Sequence, residues 1–234
     1  MENFQLDADM AELCGIIMGD GNLWTNNRKY EITFTGHKID DKLYFDDLYS
    51  YIDANIKRKP YYRIRGRGRR LTIYSKKFFM FVTITLGIPS GMLKRKSGIP
   101  LLIARNPLFL RRFIRGMFDT DGSVFTSKKP GISHYPTLEI SNSNFVLLKD
   151  IDRALKALGF LSNLRKTSKG GYKISLYGRK MLEKWDSLIG SSNPYKKAKI
   201  EHILMYNSNR KNAARLNQVQ SGNIFMNKNA AGLI

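Results

Sequence analysis

The clearest pattern of apolar and polar positions occurs twice along the chain. Residues 8–20 carry apolar side chains at intervals of three and four, which predicts an amphipathic helix, and the pattern stops at Asp20-Gly21. Residues 111–121 show the same pattern and stop at Asp121-Gly122, 101 residues later. A pattern that repeats with the same ending predicts an internal duplication of one structural unit.

The segments that follow the two helices also correspond. Alternating residues predict a strand in each half, a longer helix follows, and then come a glycine-containing hairpin and a last helix. In chain order, the predicted elements are 30–35, 38–56, 61–74 and 75–87 in the first half, and 137–141, 144–158, 161–177 and 178–189 in the second. This order predicts an α+β fold of two pseudo-symmetric αββαββα repeats.

The repeats define the predicted domain organisation. We expect an N-terminal half at 1–97, a linker with two prolines at 98–110, and a C-terminal half at 111–204. The remaining residues, 205–234, are rich in asparagine and basic residues and contain no acid, which is typical of a weakly ordered tail.

Composition restricts the partners of this fold. Apolar residues form 42% of the chain, which indicates a globular protein, and the formal net charge of +21 calls for a polyanionic partner. No apolar run approaches the roughly 18 residues of a membrane span, so nucleic acid is the better prediction than a membrane. The single cysteine, Cys14, excludes an internal disulfide and favours a reducing, intracellular setting, either a prokaryotic cytoplasm or an organelle matrix.

The positive charge is also unevenly distributed. Residues 54–118 contain 17 lysines and arginines and no acid, whereas ordinary soluble surfaces mix both signs. Within this segment arginines recur at every second position, at Arg63, Arg65, Arg67 and Arg69. On a strand this spacing would place the guanidinium groups on one face, which suits a DNA groove.

Small residues four positions apart mark both motif helices: Gly15 and Gly19 in the first, Gly116 and Thr120 in the second. Such residues let two helices pack with their backbones close together. If these helices do so, Asp20 and Asp121 meet at their C-terminal ends, where the two carboxylates and the helix dipoles repel each other. Divalent cations would relieve both penalties, and oxygen ligands beside a phosphate groove suit Mg²⁺.

The two motifs resemble those of the LAGLIDADG homing endonucleases in their single-chain, two-repeat form. Residues 13–21, LCGIIMGDG, match the nine-letter motif well, and residues 114–122, IRGMFDTDG, match it more loosely. The departures are Met18 in place of the first acid, and Arg115 and Thr120 in place of the two alanines. The resemblance covers roughly residues 8–203.

The resemblance implies a specific activity. It implies two saddle-shaped antiparallel sheets in the DNA major groove and a monomer that cuts both strands across the minor groove, leaving short 3′ overhangs. Asp20 and Asp121 would hold two or three Mg²⁺ ions with the carbonyls of Gly19 and Thr120, and Mn²⁺ or Ca²⁺ could replace Mg²⁺ for binding. Polar residues are also expected near Gly36-His37 and at Asn142, although Gly36 has no side chain, which predicts unequal halves.

A lysine from each half is also expected beside the nucleophilic water. In the first half the expected residue is Lys96, with Lys94 as its alternative, in the segment LKRKSGIP. In the second half it is Lys197, with Lys196 as its alternative, in the segment NPYKKAKIE.

Strand alternation predicts which side chains face DNA, because inward apolar residues fix the parity of their neighbours. Arginine could read guanine, and the two acids could accept hydrogen bonds from cytosine, unless each merely pairs with a basic neighbour. The predicted DNA-facing residues are Glu31, Thr33, Thr35, Arg63, Arg65, Arg67, Arg70, Thr72, Thr137, Glu139, Ser141, Arg165, Lys173 and Ser175.

The leading hypothesis from the sequence is a site-specific, Mg²⁺-dependent DNA endonuclease encoded by a mobile intron. The alternatives on the same fold are an RNA-splicing maturase, which would bind intron RNA, and a DNA-binding regulator without catalysis. Retention of both acids argues against the regulator, while the basic surface suits RNA as well as DNA.

Overall fold

The computed structural model describes residues 4–26, 28–130 and 132–205, so the predicted tail lies outside the described residues beyond Met205. Its first half begins with the motif helix and alternates hairpins and helices as predicted. The elements are α1 (Ala8–Met18), β1 (Gly21–Asn26), β2 (Lys29–His37), α2 (Lys42–Ile56), β3 (Tyr61–Arg65), β4 (Gly68–Tyr74) and α3 (Lys76–Met80), which continues as a π-helical turn over Phe81–Thr85.

A 3₁₀ helix (Gly91–Lys96) and α4 (Leu101–Ala104) lead into the second half. The second half repeats the order of the first and adds a final helix. Its elements are α5 (Pro107–Asp121), β5 (Gly122–Lys129), β6 (Ile132–Asn142), α6 (Phe145–Ala157), β7 (Ser162–Lys166), β8 (Tyr172–Tyr177), α7 (Arg179–Leu188) and a helix, α8, over residues 194–205. The predicted α+β fold of two αββαββα repeats is confirmed.

The two sheets have the same topology. Each has four antiparallel strands, in the orders β1-β2-β4-β3 and β5-β6-β8-β7. The register is also equivalent, because Gly21 pairs with Phe34 in the first sheet and Gly122 pairs with Ile140 in the second. Each half is therefore the same structural unit down to individual strand positions.

Each sheet buries one face in the core and leaves the other face toward solvent. In the first sheet Ile32, Phe34, Leu71 and Ile73 are at most 1% exposed, and α2 contributes Ile52 to the same core. In the second sheet the corresponding positions, Leu138, Ile140, Ile174 and Leu176, are at most 2% exposed. Burial of one face per sheet accounts for the alternation seen in the sequence.

The two halves join through α1 and α5, and their small residues allow the helices to touch. A Cβ added to Gly15 would lie 2.1 Å from the Phe113 carbonyl oxygen, and one added to Gly116 would lie 2.2 Å from the Glu12 carbonyl oxygen. Neither distance is tolerable for a carbon atom, so both positions require glycine. At the other end of the contact, Arg112 pairs with Glu12 at 2.9 Å and with Asp9 at 3.5 Å.

The boundaries of two predicted elements were wrong. Helix α5 begins at Pro107 rather than at residue 111, because Asn106 caps it by accepting from the Leu108 and Phe109 backbone N–H groups. The predicted linker at 98–110 therefore contains α4 and the first turn of α5. Helix α2 begins at Lys42 rather than at residue 38, after a turn. No helix in the described ranges has both the length and the apolar character needed to cross a membrane.

Candidate active site

The close packing of α1 and α5 brings the two motif aspartates together. Asp121 is the last residue of α5, and Asp20 follows Gly19, which ends α1 by donating its N–H to the Gly15 carbonyl. A Cβ added to Gly19 would lie 2.1 Å from Thr120 Oγ1 and 3.3 Å from Asp121 Oδ2. The helix ends are thus in contact, and the structure places Asp20, Asp121, Gly19 and Thr120 in one site.

The Asp121 carboxylate is held by the second sheet. Asn142, the last residue of β6, donates from Nδ2 to Asp121 Oδ2 at 2.5 Å. Burial raises the pKa of Asp121 to about 7; the hydrogen bond from Asn142 opposes this rise, and the charge of Asp20 adds to it. A carboxylate that folding has desolvated beside a second acid is a group that a cation would stabilise.

Asp20 has a different environment. Its side chain reaches the surface, yet the partial burial of its carboxylate still raises its pKa. The nearby charges act in both directions, because Lys196 and Lys94 lower this pKa and Asp41 raises it. Asp20 therefore faces an additional acid, where Asp121 faces an amide donor.

One lysine caps the C-terminal end of each motif helix. Lys94 donates from Nζ to the Ile17 carbonyl at 2.8 Å and also to the Gly21 carbonyl. Lys196 donates from Nζ to the carbonyls of Phe118 at 2.8 Å, Asp119 at 2.9 Å and Thr120 at 3.2 Å. Cations at these positions offset the negative ends of both helix dipoles.

Burial also makes these two lysines easier to deprotonate than ordinary surface lysines. It lowers the pKa of Lys94 to about 8, against the opposing charges of Asp121 and Asp20. It lowers the pKa of Lys196 as well, where Asp119 and Asp41 are the strongest opposing charges. A lysine with a lowered pKa gives up its proton more easily and can take part in proton transfer.

The structure places Lys94 and Lys196, and not the preferred Lys96 and Lys197, against the motif helices. Both side chains are exposed, whereas the alternatives, Lys94 and Lys196, are partly buried against the motif helices. Both lysines of each pair lie in one helix, the 3₁₀ helix for Lys94 and Lys96 and the first turn of α8 for Lys196 and Lys197. In each helix only one of the two side chains, Lys94 or Lys196, reaches the carbonyls of a motif helix. Sequence spacing alone does not determine which lysine of a neighbouring pair points inward.

Buried asparagines of the second half fix both lysine-bearing segments. Asn144 donates from Nδ2 to the Lys94 carbonyl at 3.0 Å and to the Ser97 carbonyl at 2.7 Å. Asn193 accepts at Oδ1 from the backbone N–H groups of Tyr195 at 3.1 Å and Lys196 at 3.4 Å. Neither residue was among the predicted site residues, although an asparagine immediately before a helix is a capping signal.

A third motif acid, Asp119, is structural. It is 2% exposed and accepts hydrogen bonds from the Ser191 hydroxyl and, at 2.9 Å, from the Ser192 backbone N–H. Burial raises its pKa to about 7, and the Ser191 and Ser192 hydrogen bonds oppose the rise. Met18 is its equivalent in the first half and is buried in the core, so this position fixes a loop in one half only.

The residues at the site fit divalent cations that keep part of their water. No group of three or more histidine, cysteine, aspartate or glutamate side chains among the described residues could enclose a metal ion. Two carboxylates and the nearby backbone carbonyls can instead supply a few hard oxygen ligands, with water and phosphate completing the shell. A cleft of about 590 Å³ opens beside these groups, lined by Gly19, Lys94 and Asn142 among others.

The free face of the first sheet is strongly basic. Thr35, Arg63, Arg65 and Arg70 are exposed there and line a groove of about 220 Å³. Glu31 lies on the same face and accepts from the Thr33 hydroxyl at 2.7 Å. Among the described residues its carboxylate has the Thr33 hydrogen bond and no ion pair, so it is available to a ligand.

The arginine period of the sequence does not continue around the hairpin. Gly66 and Arg67 form the turn between β3 and β4, and the reversal places Arg69 on the inner face of the sheet. Arg69 is 3% exposed and donates to the carbonyls of Lys38 and Lys42 and to the Tyr62 hydroxyl. Arg69 therefore supports the sheet, and Arg70 takes its expected place on the free face.

Several residues predicted to contact DNA are covered by their neighbours. Thr33, Thr72, Thr137 and Ser175 lie on the expected faces but are at most 4% exposed. They stand in the middle of each sheet, where larger side chains of the flanking strands shield them. We therefore correct their predicted role from direct contact to support of the exposed residues.

The acid on the second sheet, Glu139, is paired with basic residues of the same sheet. Glu139 accepts from Lys173 at 2.7 Å and from Ser175 at 3.0 Å, and Arg165 lies 3.6 Å away. The prediction that Glu139 reads a base is thus replaced by the alternative, an acid paired with basic neighbours. Ser141 and Arg165 remain exposed on this face.

Comparisons with known proteins show the fold and a family match within the second half. Residues 108–190 match the family model of the LAGLIDADG-like domain. The chain is similar to I-DmoI in complex with DNA and Mn, with 22% identity and a TM-score of 0.55 over 79% of this chain and 97% of that one. I-DmoI in complex with DNA and Ca gives 20% identity and a TM-score of 0.56, over 83% and 97% of the two chains.

The fold also occurs in another protein. The N-terminal LAGLIDADG domain of DUF199/WhiA is 18% identical, with a TM-score of 0.54 over 84% of this chain and 86% of that one. At these identities the structural matches establish the fold.

Proposed function

We propose that the protein is a site-specific homing endonuclease. Its residues 108–190 match the LAGLIDADG-like domain, and its fold is that of the homing endonuclease I-DmoI. It makes metal-dependent double-strand cuts in a long DNA target. The observation that carries this proposal is the meeting of Asp20 and Asp121 at the ends of two touching helices, each beside a partly buried lysine. Intron encoding, short 3′ overhangs and action as a monomer follow from the family resemblance.

Asp20 and Asp121 are the residues that would hold Mg²⁺, with the carbonyls of Gly19 and Thr120 nearby. When bound, the metal lowers the pKa of a coordinated water and neutralises charge that develops on the phosphate. The protein contributes the orientation of the carboxylates, which Asn142 fixes directly for Asp121. Crystals of I-DmoI with DNA and Mn or Ca support a divalent cation in this fold.

Lys94 and Lys196 are the proposed proton-handling groups. Each is anchored on a motif helix end, and each carries a pKa lowered by burial, so either can accept a proton from water or stabilise a phosphate oxygen. The cleft beside Lys94 leaves room for the DNA backbone.

The two free sheet faces are the proposed DNA-binding surface. Thr35, Arg63, Arg65 and Arg70 offer the first sheet's polar contacts, and Ser141, Arg165 and Lys173 offer those of the second. The net charge of +21 supplies the general affinity for phosphate, while base edges in the major groove supply the selectivity.

The decisive experiment is incubation with a randomised DNA library and Mg²⁺, followed by sequencing of the ends. We expect wild type to cut both strands at one long site, and Asp20→Asn and Asp121→Asn to bind that site without cutting both strands. Cutting by the double variant would exclude these residues as the metal ligands. EDTA should abolish cutting by wild type.

The same experiment separates the alternatives. Binding to intron RNA with assistance of splicing, and no DNA cutting, would favour a maturase. Specific DNA binding without any cutting would favour a regulator.

A further inference from the structure

One position of the active site differs between the halves in an informative way. In the second half, Gly122 pairs with Ile140 on β6, and Asn142, whose amide holds Asp121, lies two residues after Ile140. In the first half, Gly21 pairs with Phe34 on β2, and the residue two positions after Phe34 is Gly36. The first half therefore has no side chain at the position that orients the catalytic carboxylate in the second half.

Another residue occupies the space that a side chain at Gly36 would fill. A Cβ added to Gly36 would lie 2.9 Å from Asp41 Oδ2 and 2.5 Å from the Phe45 ring. The Asp41 carboxylate reaches this space from the turn before α2. Asp41 and Asp20 line the same cavity, and the charge of Asp41 raises the pKa of Asp20.

Asp41 is held in place from both halves of the molecule. Its Oδ2 accepts from the His37 backbone N–H at 2.7 Å, and its Oδ1 accepts from Asn193 Nδ2 at 3.2 Å. The Asp41 carboxylate therefore does not cap α2, as an aspartate before a helix usually does, and lines the cavity next to Asp20 instead.

A small cavity links Asp41 to Asp20. It has a volume of about 30 Å³ and is lined by Asp20, Asp41, Tyr44 and Asp119, among others. The Tyr44 hydroxyl is buried without a hydrogen-bond partner, and the Tyr44 side chain is 6% exposed. A cavity of this size has room for one water molecule with several polar partners.

We propose that Asp41 is the positioning residue of the first half: it orients Asp20 through a water in this cavity, as Asn142 orients Asp121 directly. Two ionised carboxylates cannot hydrogen-bond to each other, whereas one water can donate to both. The same water would give the buried Tyr44 hydroxyl its missing partner. This inference rests on the proposed endonuclease activity. It means that the two DNA strands are cut at centres that orient their carboxylates by different groups, Asp41 with a water in the first half and Asn142 in the second.

The test compares Asp41→Ala, Asp41→Asn and Asn142→Ala on the duplex recovered from the library, labelled separately on each strand. Loss of a group that orients a metal ligand costs about 10- to 100-fold in activity. We expect Asp41→Ala to slow one strand by this factor and Asn142→Ala to slow the other. Asp41→Asn should retain more activity than Asp41→Ala, because an amide can still bond to the water.

Asp40→Asn is the matched control, since Asp40 is the exposed neighbour that pairs with His37. It removes one negative charge next to Asp41 and should leave both strand rates within about 2-fold of wild type. Affinity for DNA in Ca²⁺ and the melting temperature are measured for every variant. Equal slowing of both strands by Asp41→Ala, or slowing that follows a loss of stability, would overturn the proposal.

A second readout does not depend on cutting. The free proteins are titrated with Mn²⁺ and followed by electron paramagnetic resonance. We expect Asp41→Ala to weaken Mn²⁺ binding by about 10-fold or more, and Asp40→Asn to leave it unchanged. If wild type cuts no DNA but Asp41→Ala weakens Mn²⁺ binding, the proposed function fails and the role of Asp41 stands. Identical Mn²⁺ binding by wild type and Asp41→Ala would refute that role.

Discussion

The two halves of the molecule have the same strands in the same register, yet they hold their active-site carboxylates differently. Asp121 is half-buried and receives an amide hydrogen bond, whereas Asp20 is exposed on one side and shares a cavity with Asp41. The backbone is symmetric because both halves must bury one sheet face and pack one motif helix. The polar groups need not be symmetric, since in the proposed function each half acts on a different strand of DNA.

The largest expected effect concerns the lysines. Lys94→Met and Lys196→Met should each lower the rate of cutting by about 100-fold, because each removes the cation beside one carboxylate. The measurement is single-turnover cleavage with each DNA strand labelled separately, so that each lysine can be assigned to a strand.

Lys96→Met and Lys197→Met provide the controls for that experiment, because these exposed neighbours carry the same charge. Each should change the rates by only a few-fold. If instead the Lys96 and Lys197 variants lose activity and the Lys94 and Lys196 variants keep it, the geometric assignment is wrong.

A second prediction tests whether the helix contact is equally tight on both sides. Gly15→Ala and Gly116→Ala should each destabilise the fold by about 1–3 kcal/mol or more, because the added methyl group meets a backbone carbonyl of the opposite helix. Urea denaturation measures this free energy.

Gly68→Ala and Gly171→Ala are the matched controls for the two halves. A Cβ at either position would have its nearest neighbour at 3.6 Å, an ordinary contact. Loss of stability as large in the controls as in the helix variants would show that the interface is not the cause.

The smallest expected effect distinguishes the two sheet acids. Glu31→Gln should relax base preference at one target position by about 1 kcal/mol, because an unpaired acid can discriminate between bases. Glu139→Gln should leave preference unchanged and strengthen binding to random DNA, since Lys173 and Arg165 would lose their partner.

Competition binding against single-base variants of the target measures both effects. The same affinity profile for the two variants would mean that the pairing of Glu139 does not persist when DNA is bound.

Much of the fold was predictable because it depends on local patterns. Alternation identified Ile32 and Phe34 as core, and spacing of small residues identified the helix pair. Structure and expectation differ where one residue decides orientation. The turn at Gly66 reverses the arginine face, and only two residues separate Lys94, which reaches a motif helix, from Lys96, which does not. Such outcomes depend on tertiary contacts that the periodicity of a sequence does not contain.

The active site could be predicted only in part for the same reason. Asp20 and Asp121 stand at repeated motifs, so their pairing was visible. Asp41 and Asn193 come from segments 152 residues apart and meet only after folding. The hydrogen bonds that orient the site are therefore the part that needed a structure.

The asparagines that fix the lysine-bearing segments have a consequence for protein engineering. Asn144 and Asn193 both belong to the second half, yet they bond to Lys94 and Asp41 of the first. A chimera that joins the first half to the second half of another nuclease would keep its own Lys94 and Asp41 and lose their anchors. The two halves are consequently not interchangeable modules, and a functional graft has to carry these two asparagines with it.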